Sequence, residues 1–239
     1  MPSEKPAKTA APARTRTEKV HQALRSAIIE QRLAPGSRLP EDAIGESFGT
    51  SRTIAREALG RLAVEGLVDL KPNRGAFVAN PSLEEGRGIF HVRRALERAM
   101  MLDLSGKIDP AIAGRLRAMV AREAAMASTN EPEAIRLAGE FHLTLAQLTG
   151  NPLLLRYVTE TVSRCSMVLA MYGRPHSTDC GAREHAAIVE SLIAGRIEEA
   201  AELMDRHVAE VAGRALLNTR VEQDIREVLA SYAQAIQHA

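Results

Sequence analysis

The sequence predicts a mainly α protein, with an N-terminal winged helix-turn-helix followed by a C-terminal antiparallel helical bundle. Three observations carry this. Aromatic residues make up only 3% of the 239 residues, with no Trp, while Ala, Leu, Glu and Arg recur, a composition that favours helices over sheet cores. The hydrophobic period switches from helical to strand-like once, between Gly66 and Ala79. Beyond Leu83 the strand signals disappear, and long Ala/Leu-rich helical patterns alternate with short breakers.

The predicted units follow the chain in order: a disordered arm over 1–15, a head over 16–80, a linker over 81–85, a helical body over 86–222 and a helical extension over 223–239. The arm is rich in Pro, Ala and Lys and has no apolar period. The first helix is expected from Thr17 to Arg32, because Val20, Leu24, Ala27 and Ile28 share one face and Pro35-Gly36 follows. A short second helix starts near Glu41 and should carry Ile44 and Phe48 inward. Gly49-Thr50 breaks it, and Ser51 offers a hydroxyl to cap a third helix. There Ile54, Ala55, Ala58, Leu59 and Leu62 form the inner face, and Arg52, Thr53, Arg56 and Gly60 the outer one. Residues 67–70 and 76–79 read as two strands of a hairpin around Lys71-Pro-Asn-Arg-Gly75. In the body, breakers at Ser105-Gly106, residues 128–132, Gly150-Asn-Pro152, Gly173-Arg-Pro175 and Ala194-Gly195 leave about six helices.

Charge gives a first indication of function. The formal net charge is only +1, but residues 1–80 hold 13 Lys/Arg against 9 Asp/Glu, and the rest is slightly acidic. A basic head on an acidic body suits a polyanionic partner. No apolar run is long enough to span a bilayer, and the N-terminus has no secretory pattern. Two cysteines, Cys165 and Cys180, make no disulfide framework, so a cytoplasmic location is expected.

An α-helix fits the DNA major groove, and a helix-turn-helix presents the N-terminal residues of its second helix to the base edges. Those residues here are Ser51, Arg52, Thr53 and Arg56. Arg pairs bidentately with guanine, and Ser and Thr reach phosphates or bases. Arg74 at the hairpin tip is placed to enter a groove, with Gly75 allowing close backbone approach.

These residues resemble a known family. Arg38-Leu39, Ser51-Arg52-Thr53 leading to Arg56-Glu57-Ala58-Leu59, residues 62–68, and Asn73-Arg74-Gly75-Ala76-Phe77-Val78 are similar to the DNA-binding domain of GntR-family bacterial transcription regulators. The resemblance implies that Arg38, Ser51, Arg52, Thr53, Arg56, Arg74 and Gly75 form the DNA-binding surface. One departure is Asp42, where the family usually carries an Arg that helps hold DNA. Ile54 and Ala55 replace the family's usual Pro and Val.

Histidine spacing points to a second site. His142 lies before the Gly150 breaker, while His185 and His207 flank Gly195 at similar distances. In an antiparallel hairpin those two reach similar heights and can face each other. Three converging imidazoles suit Zn²⁺ or another divalent transition metal, and buried histidines satisfied by neighbours give the same spacing. The body in turn resembles the FadR-like FCD effector domain: residues 92–97, Phe141-His142 with Gly150-Asn151, and Glu184-His185 with Ala194-Gly195 match, and His207 follows at the customary distance. The resemblance implies His142, His185 and His207 as metal ligands and Arg93 as an effector-binding residue facing the pocket. The family's Asp ligand corresponds to Ala138, and Glu140 is poorly placed to substitute. Three His plus water remains an acceptable zinc shell, with an effector-dependent site or a metal-free pocket as the alternatives.

The expectation is a DNA-binding regulator rather than an enzyme. It is a homodimeric repressor, released from a palindromic double-stranded DNA operator by a small organic acid. The competing readings are a metal-dependent hydrolase and an acyl-CoA-sensing regulator without metal.

Overall fold

The computed structural model describes residues 15–30, 32–127, 129–172 and 179–216. The expected arm (except Thr15), the breaker at 173–175, the Cys180 side chain and the C-terminal extension lie outside the described residues.

The head is built from α1 (Arg16–Ile29), β1 (Arg38–Leu39), α2 (Glu41–Ser47), α3 (Arg52–Val64), β2 (Val68–Lys71) and β3 (Gly75–Val78). Thr15 opens α1 with a capping box: its hydroxyl accepts from the Glu18 amide, and the Glu18 carboxylate accepts from the Thr15 amide. The helix stops at Ile29 rather than Arg32, because the Arg32 and Leu33 amides fold back onto the Ala27 carbonyl. Ser51 caps α3 as expected, accepting from the Ile54 amide.

One inward assignment is corrected. Phe48 is 44% exposed, since α2 is only 7 residues long and Phe48 falls at its C-cap, beyond the turn that packs on α3. At Gly45 an added Cβ would meet the Thr50 carbonyl oxygen at 2.9 Å, so this glycine lets α2 approach the turn that leads into α3.

The sheet has the order β1-β3-β2, all antiparallel. β1, absent from the sequence expectation, pairs Arg38 with Phe77 and Leu39 with Ala76. The head core joins Val20, Leu24 and Ile28 of α1 to Ala58, Leu59 and Leu62 of α3.

Among the described residues the body has six helices: α4 (Leu83–Asp103), α5 (Pro110–Ala127), α6 (Glu131–Leu148), α7 (Pro152–Tyr172), α8 (Asp179–Ile193) and α9 (Ile197–Leu216). α4 begins inside the expected linker, because Ser82 and Glu85 form a second capping box. Asn151 caps α7 by accepting from the Leu153 and Leu154 amides, with Pro152 tolerated in the first turn. α4 packs along α9 and α7, while α5 packs on α6 and α8. The body core includes Met100, Met101, Phe141 and Leu145, all 0% exposed. None of the described helices is long and apolar enough to cross a membrane.

Candidate metal centre and DNA-facing surface

The body brings His142 of α6, His185 of α8 and His207 of α9 into one buried cluster, with one candidate ligand atom from each within 4.8 Å of the others. The Nε2 atoms of His185 and His207 face each other at 3.2 Å across the α8–α9 hairpin. Phe141 stacks on the His185 ring with centroids 4.1 Å apart, which restrains its plane.

Each imidazole is gripped from behind by a carboxylate. His142 Nδ1 meets Glu97 Oε2 at 2.6 Å, His185 Nδ1 meets Glu123 Oε2 at 2.8 Å, and His207 Nδ1 meets Glu184 Oε2 at 2.5 Å. A carboxylate on Nδ1 favours the tautomer with its proton there, which leaves Nε2 as a lone-pair donor. Three imidazoles fixed in orientation by carboxylates make a donor set that suits a transition metal.

Electrostatics support the same assignment. Burial pushes the His142 imidazole down to about 4, outweighing the nearby Glu97 charge, so the ring is neutral near pH 7. Burial, together with the neighbouring His185 and His142, likewise holds His207 well below the ordinary histidine range. Burial would raise Glu97, but Arg93 and His142 overcome it and hold the carboxyl well below the usual range. When ionised, the three glutamates bring three negative charges to the cluster, and Arg93 returns one positive charge. A divalent cation balances the remainder, so the residues present fit the metal that the FCD resemblance implies.

Arg93 is placed differently from a free clamp. It is 4% exposed, and its Nε donates to Glu97 Oε1 at 2.6 Å. Its guanidinium also lies near the Cys165 thiol; burial pushes that thiol up to about 11, so it stays protonated. Glu140 pairs with Arg136, away from the cluster. On α7, Tyr157 is 45% exposed and Met167 belongs to the head core.

Sequence reasoning missed the three glutamates as histidine partners. Glu97 and Glu184 were visible only as parts of the family motif. Glu123 had a signal of its own: it follows Leu116 and Val120 on the buried face of α5, where an acid must have a partner.

On the head, Ser51, Arg52, Thr53 and Arg56 all lie exposed at the start of α3. Both arginines are engaged by acids of α2. Arg56 makes a two-pronged contact with Glu41 at 2.9 and 2.8 Å, and Arg52 Nε lies 2.8 Å from Asp42. On the hairpin, Asn73 (φ 59°) and Gly75 (φ 93°) take left-handed conformations that turn the chain and leave Arg74 exposed. Lys71 and Arg74 lie over the Phe77 ring, and Arg38 stands beside it on β1. The structure thus gathers Arg38, Arg74 and Gly75 at the wing, and Ser51, Arg52, Thr53 and Arg56 at the α3 N-terminus.

Comparison with known proteins gives two family matches. Residues 16–78 match the bacterial regulatory proteins of the gntR family, and residues 88–210 match the FCD domain. An uncharacterized HTH-type transcriptional regulator in an unstable DNA locus of Streptomyces ambofaciens is 34% identical over 138 residues, 58% of each chain. The HTH-type transcriptional repressor RspR of Escherichia coli is 34% identical over 83 residues, 35% of this chain and 36% of that protein. The chain therefore spans less than two thirds of the length of these curated relatives. A solved structure of a GntR transcriptional regulator from Rhodococcus sp. RHA1 superposes with a TM-score of 0.69 at 25% identity, covering 86% of this chain and 99% of that one.

Proposed function

Because the chain belongs to the gntR family of bacterial regulatory proteins and carries an FCD domain, we propose that it is a DNA-binding transcription repressor whose helical body senses a small organic acid at a three-histidine metal site. The observation that carries the sensing half is the buried cluster in which each Nδ1 is held by its own glutamate and the Nε2 atoms converge. His142, His185 and His207 would hold the ion, and Ala138, at the family's usual Asp position, would add no carboxylate to it. A divalent ion there supplies the positive charge that attracts a carboxylate oxygen.

The head uses Arg52 and Arg56 at base edges or phosphates, and Arg38 and Arg74 beside the wing. Two heads related by a dimer axis match a palindromic operator. For the acid to release DNA, it must bind one arrangement of heads more tightly than the other. The repressor named among the relatives favours repression over activation.

Two measurements test this reading. Inductively coupled plasma analysis of protein purified without chelator or His-tag should find about one transition-metal ion per chain. Gel-shift titration against an operator selected from random duplex DNA should then show release by organic acids. Clearly substoichiometric metal overturns the metal claim, and failure to select any sequence overturns the regulator.

A further inference from the structure

The head meets the body along one side of α7. Met167 of α7 is buried in the head core, and the Arg25 guanidinium of α1 donates to Ser163 Oγ at 3.5 Å. The Arg164 guanidinium lies on Gly66, the left-handed residue just past the C-cap of α3: an added Cβ there would sit 2.2 Å from Arg164 Nε. Arg164 is steered by Glu160 one turn earlier, 3.1 Å away, and its Nε is buried without a hydrogen-bond partner. The Arg164 side chain thus packs on the Gly66 backbone while its Nη2 pairs with Glu160.

The next residue of α7 faces the other way. Cys165 is 0% exposed, sits in the body core and faces Arg93. Arg93 holds one oxygen of Glu97, and His142 holds the other, each at 2.6 Å. Both oxygens are engaged by side chains, and Glu97 is 0% exposed. A displacement of the His142 ring would therefore reach Arg93 through the Glu97 carboxylate they share. Because α7 is one continuous helix, Ser163, Arg164 and Met167 on its head side move with Cys165 on its body side.

We propose that α7 conveys the state of the three-histidine cluster to the DNA-binding head, with Glu97, Arg93 and Cys165 as its input and the contact of Arg164 with Gly66 as its output. This inference rests on the metal-site reading above and specifies how that site regulates the head.

The test uses the full chain stripped of metal, with zinc chloride as the probe. Zinc affinity is measured by titration calorimetry, and the response of the head by hydrogen–deuterium exchange over Arg52–Val64. In the wild-type chain zinc should change exchange in α3. Arg164→Ala should keep zinc affinity but reduce that change by about threefold or more. Arg164→Lys, which retains the aliphatic stem, should restore it in part. Arg117→Ala removes an exposed pair with Glu190 between α5 and α8 and should leave the response intact. The proposal is overturned if zinc binds and Arg164→Ala responds like wild type, or if zinc binds without any response in α3. Absence of zinc binding to the wild-type chain removes the metal reading and this proposal together, and calorimetry alone identifies that outcome.

Discussion

His142 Nδ1 lies 2.6 Å from Glu97 Oε2, and both side chains are shut off from solvent. The Glu97 carboxylate sets the direction of this imidazole and leaves Nε2 for a ligand. Glu97→Gln should keep the shape but weaken the hold on the tautomer, lowering zinc affinity about 10- to 100-fold in competition with a chromophoric chelator. Glu97→Ala should also strand Arg93 as a buried unpaired charge and cost about 3–5 kcal/mol in denaturant melts. Unchanged zinc affinity in Glu97→Gln would remove the positioning role.

Acid should destabilise the metal-free protein in a defined window. His142 is held down to about 4 by burial, against an ordinary value of 6.5. Between those values the unfolded chain takes up a proton that the folded chain refuses, so stability falls as pH drops from about 6.5 toward 4. Glu97, also held low, extends the loss in the same direction at lower pH. Melting temperatures of the metal-free protein in steps across this range should decline, whereas a flat profile would contradict a neutral buried His142.

The α2 acids should restrain DNA binding. Asp42 pairs with Arg52 at 2.8 Å, offsetting a charge at the start of α3. Asp42→Asn should raise DNA affinity and steepen its salt dependence by about one counterion. Arg52→Ala should weaken specific binding by about 1–3 kcal/mol if Arg52 reads a base. Fluorescence anisotropy at several salt concentrations checks both, and an unaltered salt slope in Asp42→Asn would show that its charge lies outside the DNA footprint.

Gly66 carries two separate constraints. Its φ of +71° is the left-handed region, and Arg164 occupies the space a side chain would need. Gly66→Ala should therefore cost about 1–2 kcal/mol for the backbone alone, plus the collision. Arg164→Ala in the same chain should recover the collision and leave the backbone cost. Additive effects in urea melts would mean that the two residues do not touch in solution.

Much of the fold was legible because its signals are local. The Ser51 cap, the apolar face of α3 and the Gly-bearing hairpin are written within a few consecutive residues, and the six body helices follow from period and breakers. Phe48 was misplaced because a helical period cannot tell where a seven-residue helix ends relative to its neighbour. β1 was missed because two residues carry no period, and Arg38-Leu39 becomes a strand only by pairing with β3.

By itself, the sequence determined the order of the elements, the basic outer face of α3 and the two histidines flanking Gly195, all matters of spacing along one or two helices. Only the tertiary structure decided what those groups meet. Glu97 and Glu123, from α4 and α5, stand behind histidines on α6 and α8, and Cys165 and Arg164 turn one helix toward both the cluster and the head. The reason is physical. A helical period specifies which face is buried, whereas a buried charge takes its partner from whichever helix packing brings within hydrogen-bond reach.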